Sequence, residues 1–310
     1  MKYLKKYEFY SDTEVKTDTE KKFIDFRQLS HRRKRNTTKR FKKAMKPMTL
    51  EESIDYVIEN CSEWIENPVK ITRSIDSDEE YFYSVPVRRF STDNSNDYTL
   101  LMDNLPAWKE YPKRRKSFIC TLGESHMNAN SKYNIIPLNG SKWGVAPEFD
   151  IFHCFKKMTG KYINQEGGIA IDSFFNSIRN ACVDYGFNLT DSNYSEYRKQ
   201  IREFNKIITN DKNNELKVDY YFKNIMKHED AHKPNFLWKV IVDVVNPKNN
   251  GFKLLSIPEI YKNMDELKVG SKMTPDNKLE TWTDSPCIFI QNKKFFQLLE
   301  EKTGKKIKMR

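Results

Sequence analysis

No run of about 18 apolar residues occurs in this 310-residue chain, so no stretch has the length and composition of a membrane-spanning helix. The opening residues, MKYLKKYEFY, lack the apolar core of a secretory signal. Cysteine is sparse. Cys61, Cys120, Cys154, Cys182 and Cys287 are odd in number, scattered, and form no C-x-x-C pair. That argues against a disulfide framework and against a cysteine zinc site, and it fits a reducing cytoplasm. Three phosphate and nucleophile signatures are also missing. There is no G-x-x-x-x-G-K-[ST] loop, no G-x-S-x-G elbow, and Gly167-Gly168 lacks the spacing of a dinucleotide fingerprint.

What is present is a folded, basic composition. Hydrophobic residues make up 38% and charged residues 31%, with 20 Phe and 16 Tyr. Aromatics at that level separate the chain from disordered sequences. Lys and Arg total 54 against 43 Asp and Glu, a formal charge of +11. Such a balance suits anionic partners, and it equally suits a solvated lysine-rich surface.

The texture divides the chain into a basic N-terminal segment, 1–47, and one domain, 48–310. The run HRRKRNTTKRFKKAMK from His31 to Lys46 is read as a solvated segment, with a nucleic-acid arm as the other reading. From Thr49 the pattern predicts a helix: Thr49 as N-cap, Glu52 at capping-box spacing, then Ile54, Val57, Ile58, Cys61 and Ile65, ending before Pro68. Short strands are expected at Val69–Ile75, Ser84–Ser91, Lys116–Leu122 and over KYNIIPLNG, and again on both sides of the DSP turn in LETWTDSPCIFI. NDYTLLMDN reads as a helix broken at Pro106. Residues of about 150–250 read mostly helical, FKLLSI as a strand, IPEIYKNMDELKVG as a short helix, and KKFFQLLEEKTGKKIKMR as an amphipathic helix with a basic end.

Three separated segments carry the chemistry. ITRSI places Arg73 in a short strand. FICTL, with Cys120 and Thr121, starts its motif 47 residues after Arg73, and LETW brings Glu280 to the start of a late strand. Together they resemble the arginine–serine–glutamate class of ADP-ribosyltransferases. In that class an arginine ends the first core strand, an aromatic residue and Ser-Thr-Ser mark a second, and the catalytic glutamate opens a late one. The intervening KYNIIPLNGSKWGVAP is also similar to a strand of that family. The passage from RRFSTDNSNDYT to IIPLNG looks like phage proteins of this general type. The resemblance covers roughly residues 49–147 and 270–295. It departs from the family where Cys120 and Leu122 replace serines, where Glu280 follows Cys120 by 160 residues, and where Lys278 stands two positions before the glutamate.

The resemblance implies an α+β fold: a split β-sheet core with an N-terminal helix and a helical insertion at about 150–250. It implies NAD as cofactor, transfer of ADP-ribose to a protein or nucleic-acid acceptor, and release of nicotinamide, in the cytoplasm (of the host, if phage-encoded). Glu280 would stabilise the oxocarbenium-like centre. Arg73 would hold a phosphate or ribose, and Thr121 with Cys120 would order the strand and the glutamate. Tyr133 and Trp143 are candidates for stacking on nicotinamide or adenine. Arg89 and Arg115, in the clusters PVRRFST and YPKRRKS, are candidate phosphate or acceptor contacts. No metal is expected.

Two other classes stay open. The chain can be a non-catalytic, basic nucleic-acid-binding or virion-associated protein on the same fold. His228-Glu-Asp-Ala-His232 meets the H-E-x-x-H pattern of zinc proteases, but Pro234 follows at once and no histidine lies downstream to complete the ligand set.

Overall fold

The computed structural model describes residues 39–87, 97–123, 132–163, 169–175, 236–270 and 278–310. Arg89, Cys182, the Gly167-Gly168 pair, the His228–His232 segment, most of the cationic run and the centre of the expected insertion lie outside them.

The helix expected after Thr49 begins where the sequence says it should. Thr49 donates its backbone N–H to the Glu52 carboxylate at 2.7 Å, and Glu52 N–H returns to Thr49 Oγ1 at 3.1 Å. This reciprocal cap satisfies two orphan donors of α1 (Leu50–Asn60). The helix stops at Cys61 rather than at Pro68. A second short helix, α2 (Ser62–Glu66), carries Trp64 and Ile65 into the core, and Ile58 is left on the exposed side.

Among the described residues nine strands form one antiparallel sheet: β1 (Met45–Pro47), β2 (Ile71–Ser74), β3 (Tyr81–Ser84), β4 (Phe118–Leu122), β5 (Lys132–Pro137), β6 (Trp143–Val145), β7 (Lys253–Leu255), β8 (Leu279–Thr283) and β9 (Cys287–Ile290). Their order is β1-β3-β9-β5-β2-β4-β8-β6-β7. The fold is thus mixed helix and antiparallel sheet. β3 lies earlier than the expected Ser84–Ser91 strand and shares only Ser84 with it. β1 pairs with β3 from Met45 to Pro47, so the end of the basic N-terminal segment is part of the sheet.

The sheet is curled. β8 and β9 sit four places apart, about 19 Å if the sheet were flat, yet only Asp284, Ser285 and Pro286 join them, a link that reaches about 14 Å. The Phe118 and Phe289 rings, on strands three places apart, meet with centroids 5.1 Å apart. The face bearing those rings is therefore concave. It carries Phe82, Phe118, Cys120, Leu122, Tyr133, Ile135 and Phe289, and these join the larger core.

The opposite, convex face is covered by helices. Near β8 these are α3 (Asp97–Asn104), α4 (Ile151–Cys154), α5 (Lys156–Tyr162) and α6 (Phe236–Val244), packed as a second core around Trp282. Near β3, Tyr83 meets Tyr56 of α1, and Tyr81 meets Phe295 of α9 (Lys294–Thr303). Between β7 and β8 run α7 (Ile257–Lys262) and α8 (Met264–Gly270). Gly144 on β6 lies under the Trp282 indole; a Cβ there would sit 2.2 Å from the ring. Glycine is what lets the indole cross this strand.

Candidate functional site

Register decides what the three sequence segments build. β2, β4 and β8 are consecutive in the sheet, so Arg73, Cys120–Thr121 and Glu280 do lie on neighbouring strands. In antiparallel pairs, partnered residues share a face and successive residues alternate. Thr121 is the partner of Glu280, and Cys120 of Thr281. Thr72 is the partner of both Thr121 and Asn134, while Arg73 pairs with Tyr133. The convex face therefore carries a polar row, Asn134, Thr72, Thr121 and Glu280, across four adjacent strands. Arg73 and Cys120 belong to the concave face. The three residues do not share one face: Thr121 and Glu280 are side by side, and Arg73 points away from them.

The strand around Glu280 is fixed on both sides. Its backbone N–H donates to Glu148 O, and its carbonyl accepts from Ala146 N–H, both at 2.9 Å. The carboxylate forms an ion pair with Arg114 through Oε1, and Oε2 accepts the N–H of Ile151, the first residue of α4, at 3.1 Å. Both side chains are nearly enclosed, Arg114 6% and Glu280 11% exposed. The Arg114 guanidinium lies between the rings of Tyr98 and Trp282, 5.7 and 5.5 Å from their centroids. Burial works against its charge, but Glu280 and Tyr98 outweigh that and hold its pKa above the ordinary arginine value.

Arg114 is itself held by a 3₁₀ turn, Arg114–Lys116. The buried Asp103 carboxylate accepts the backbone N–H groups of Arg114 at 2.8 Å and Arg115 at 3.4 Å. Burial raises the Asp103 pKa, and the two backbone donors oppose the rise. The result is a closed clamp: α3 fixes the turn, the turn aims Arg114, and Arg114 with α4 engages both oxygens of Glu280. A carboxylate in this setting ties the sheet to its helical layer. To meet a substrate it would first have to leave Arg114.

The remaining sequence candidates fall as follows. Arg73 lies over Phe41 and Phe118, 5.8 Å from each centroid. Cys120 is buried on the same face. Tyr133 is fully buried, and its hydroxyl donates to Glu79 O at 2.6 Å and lies 3.2 Å from Ser77 O. Trp143 is fully buried in the larger core. Neither ring is open to stack on a ligand, which corrects that expectation for Tyr133 and Trp143. Arg115 is 3% exposed, so it is packed inside and does not face solvent as a phosphate contact. Its neighbour Arg114 is the residue that sequence reasoning missed. YPKRRKS offers two adjacent arginines, and only the 3₁₀ turn distinguishes them. Among the described residues no group of three His, Cys, Asp or Glu side chains is placed to hold a metal.

A cavity of about 590 Å³ lies beside β8, lined by the apolar Val145, Ala146, Pro147, Leu267 and Leu279 and by the charged Lys253, Asp265 and Glu266. Lys253 is paired with Glu266 at 2.8 Å, and Asp265 with Arg310 at 2.5 Å.

No protein-family model, curated protein or solved structure matches the chain.

Proposed function

We propose that the chain is a non-catalytic, nucleic-acid-binding protein built on an ADP-ribosyltransferase-like sheet. The observation that carries this reading is the state of Glu280. The one carboxylate assigned to chemistry has both oxygens engaged in an enclosed clamp, on the sheet face opposite Arg73. An enzyme of the glutamate class needs that group open to a ribose and within reach of the phosphate-binding arginine.

Charge supports the binding half of the reading. The chain carries +11, and Lys39, Arg40, Lys42, Lys43 and Lys46 are exposed beside the sheet edge, as are Lys305, Lys306 and Lys308 near the C-terminal end. Backbone phosphates are the partner such a surface recognises without reading sequence. The test is fluorescence anisotropy with labelled single- and double-stranded oligonucleotides over a salt series. The reading expects a log–log slope of about −4 or steeper, with Lys39→Glu/Lys43→Glu making it shallower by about 2. Binding that is absent at low salt, or indifferent to salt, contradicts it.

A second reading, NAD-dependent transfer of ADP-ribose to a macromolecular acceptor, is favoured by one observation: the segments of Arg73, Cys120–Thr121 and Glu280 occupy three consecutive strands. It requires Arg114 to release Glu280 when substrate binds.

A further inference from the structure

Arg73 has no carboxylate partner among the described residues, and its Nη1 is shielded from solvent without a hydrogen-bond acceptor. Burying a guanidinium N–H with nothing to receive it opposes folding, so the arrangement calls for a reason. The reason lies above it. Residues 39–44 are helical, and their basic members Lys39, Arg40, Lys42 and Lys43 face solvent. Phe41, half-buried, is the aromatic residue of the segment and turns toward the sheet. Its ring packs edge-on against Phe82, Phe118 and Phe289, with centroids 6.2, 6.2 and 6.1 Å away, and covers Arg73.

We infer that Phe41 is an intramolecular plug: it closes the mouth of the concave face over Arg73, and its withdrawal opens a slot for a flat ring carrying an anionic group. The Phe41 ring marks where the ligand's ring fits, among three phenylalanines. The Arg73 N–H left without an acceptor marks where a phosphate or carboxylate on that ring ends. The plug sits on a segment held to the sheet through β1, three residues long at the sheet edge, so it can move without unfolding the central strands. A polyanion gripping the outer lysines of residues 39–46 pulls on the same segment. The inference does not depend on whether Glu280 is catalytic, because that residue faces the other side.

Phenyl phosphate is the probe, with inorganic phosphate as control, and binding is measured by calorimetry on the full chain. Phe41→Ala binds phenyl phosphate at least tenfold more tightly than the wild type, and Phe41→Ala/Arg73→Gln loses that gain. Phe41→Leu, which keeps apolar volume, moves in the same direction and covers the case in which the alanine variant misfolds. In the otherwise native chain, 4-fluorophenylalanine at position 41 shifts its ¹⁹F resonance as phenyl phosphate saturates. The inference is overturned if neither Phe41 variant binds more tightly than the wild type, if the gain survives Arg73→Gln, or if the fluorine signal does not move.

Discussion

Glu280 and Arg73 lie two strands apart in one sheet and on opposite faces of it. That relationship separates a carboxylate clamped into the helical layer from an arginine set in an aromatic hollow, and most of what can be tested follows from it.

The Arg114–Glu280 pair is enclosed, so removing one partner leaves the other's charge uncompensated. Arg114→Ala should lower stability by about 3–5 kcal/mol. Arg114→Met/Glu280→Leu should cost clearly less than the sum of the two single changes, since neither charge is stranded. Urea denaturation of the wild type, Arg114→Met, Glu280→Leu and the double variant, with Arg114→Ala alongside, measures this. Additive losses would show that the two residues do not act as a pair.

Asp103 gives a pH signature. Its folded-state pKa is raised from 3.8, first by burial. A carboxylate with a raised folded pKa contributes stability that is fully present below the unfolded value and lost as pH rises through the folded one. The stability of the wild type relative to Asp103→Asn should therefore fall as pH climbs from below 3.8 through the raised value, and level off above it. Melts of both proteins from acid to neutral pH check the sign; a difference that grows with pH contradicts it.

Gly144→Ala would drive a Cβ to 2.2 Å from the Trp282 ring. The indole must move, and it is also one of the two rings flanking Arg114. A loss of about 1–3 kcal/mol is expected, with a changed near-ultraviolet circular dichroism spectrum. An unchanged spectrum and melting point would show that β6 does not need glycine there.

Among the described residues, Cys61, Cys120, Cys154 and Cys287 are buried and in no disulfide. Burial pushes the Cys61 thiol up to about 12 and raises those of Cys154 and Cys287. Thiolate is the reactive form, so a native-state thiol titration at pH 8 should find at most one of the five cysteines reacting rapidly, and all five after denaturation. Two or more fast thiols would contradict the burial.

Much of the fold is legible in the residues because local signals agree with it. Thr49 and Glu52 announce α1. The short apolar strands at Arg73, Cys120, Ile135 and Ile288 fall where periodicity puts them. The C-terminal pattern predicts a helix through Arg310, but Gly304, at φ 66°, closes α9 after Thr303 as a left-handed cap. The site is less legible, for a physical reason. Strands β4 and β8 are packed on both faces, so Leu279, Thr281 and Trp282 are all buried and alternation does not reveal which way Glu280 turns. β2 does carry a clue. Arg73 shares the parity of Ile71 and Ile75, and the structure puts it on that apolar side. The clamp is beyond local reading, because the Asp103–Arg114 stretch, Ile151 and Glu280 come from three separated parts of the chain. The DSP turn between β8 and β9 looks local, yet it joins strands that do not pair.

The central claim is that Glu280 holds the structure together and does not act on NAD. Nicotinamide release from labelled NAD, measured for the wild type and Glu280→Gln at a temperature where circular dichroism shows both folded, tests it most directly. The account predicts the same background rate from both proteins, with and without protein or nucleic-acid acceptors. Nicotinamide release by the wild type that the glutamine variant loses would contradict it and establish the transferase reading.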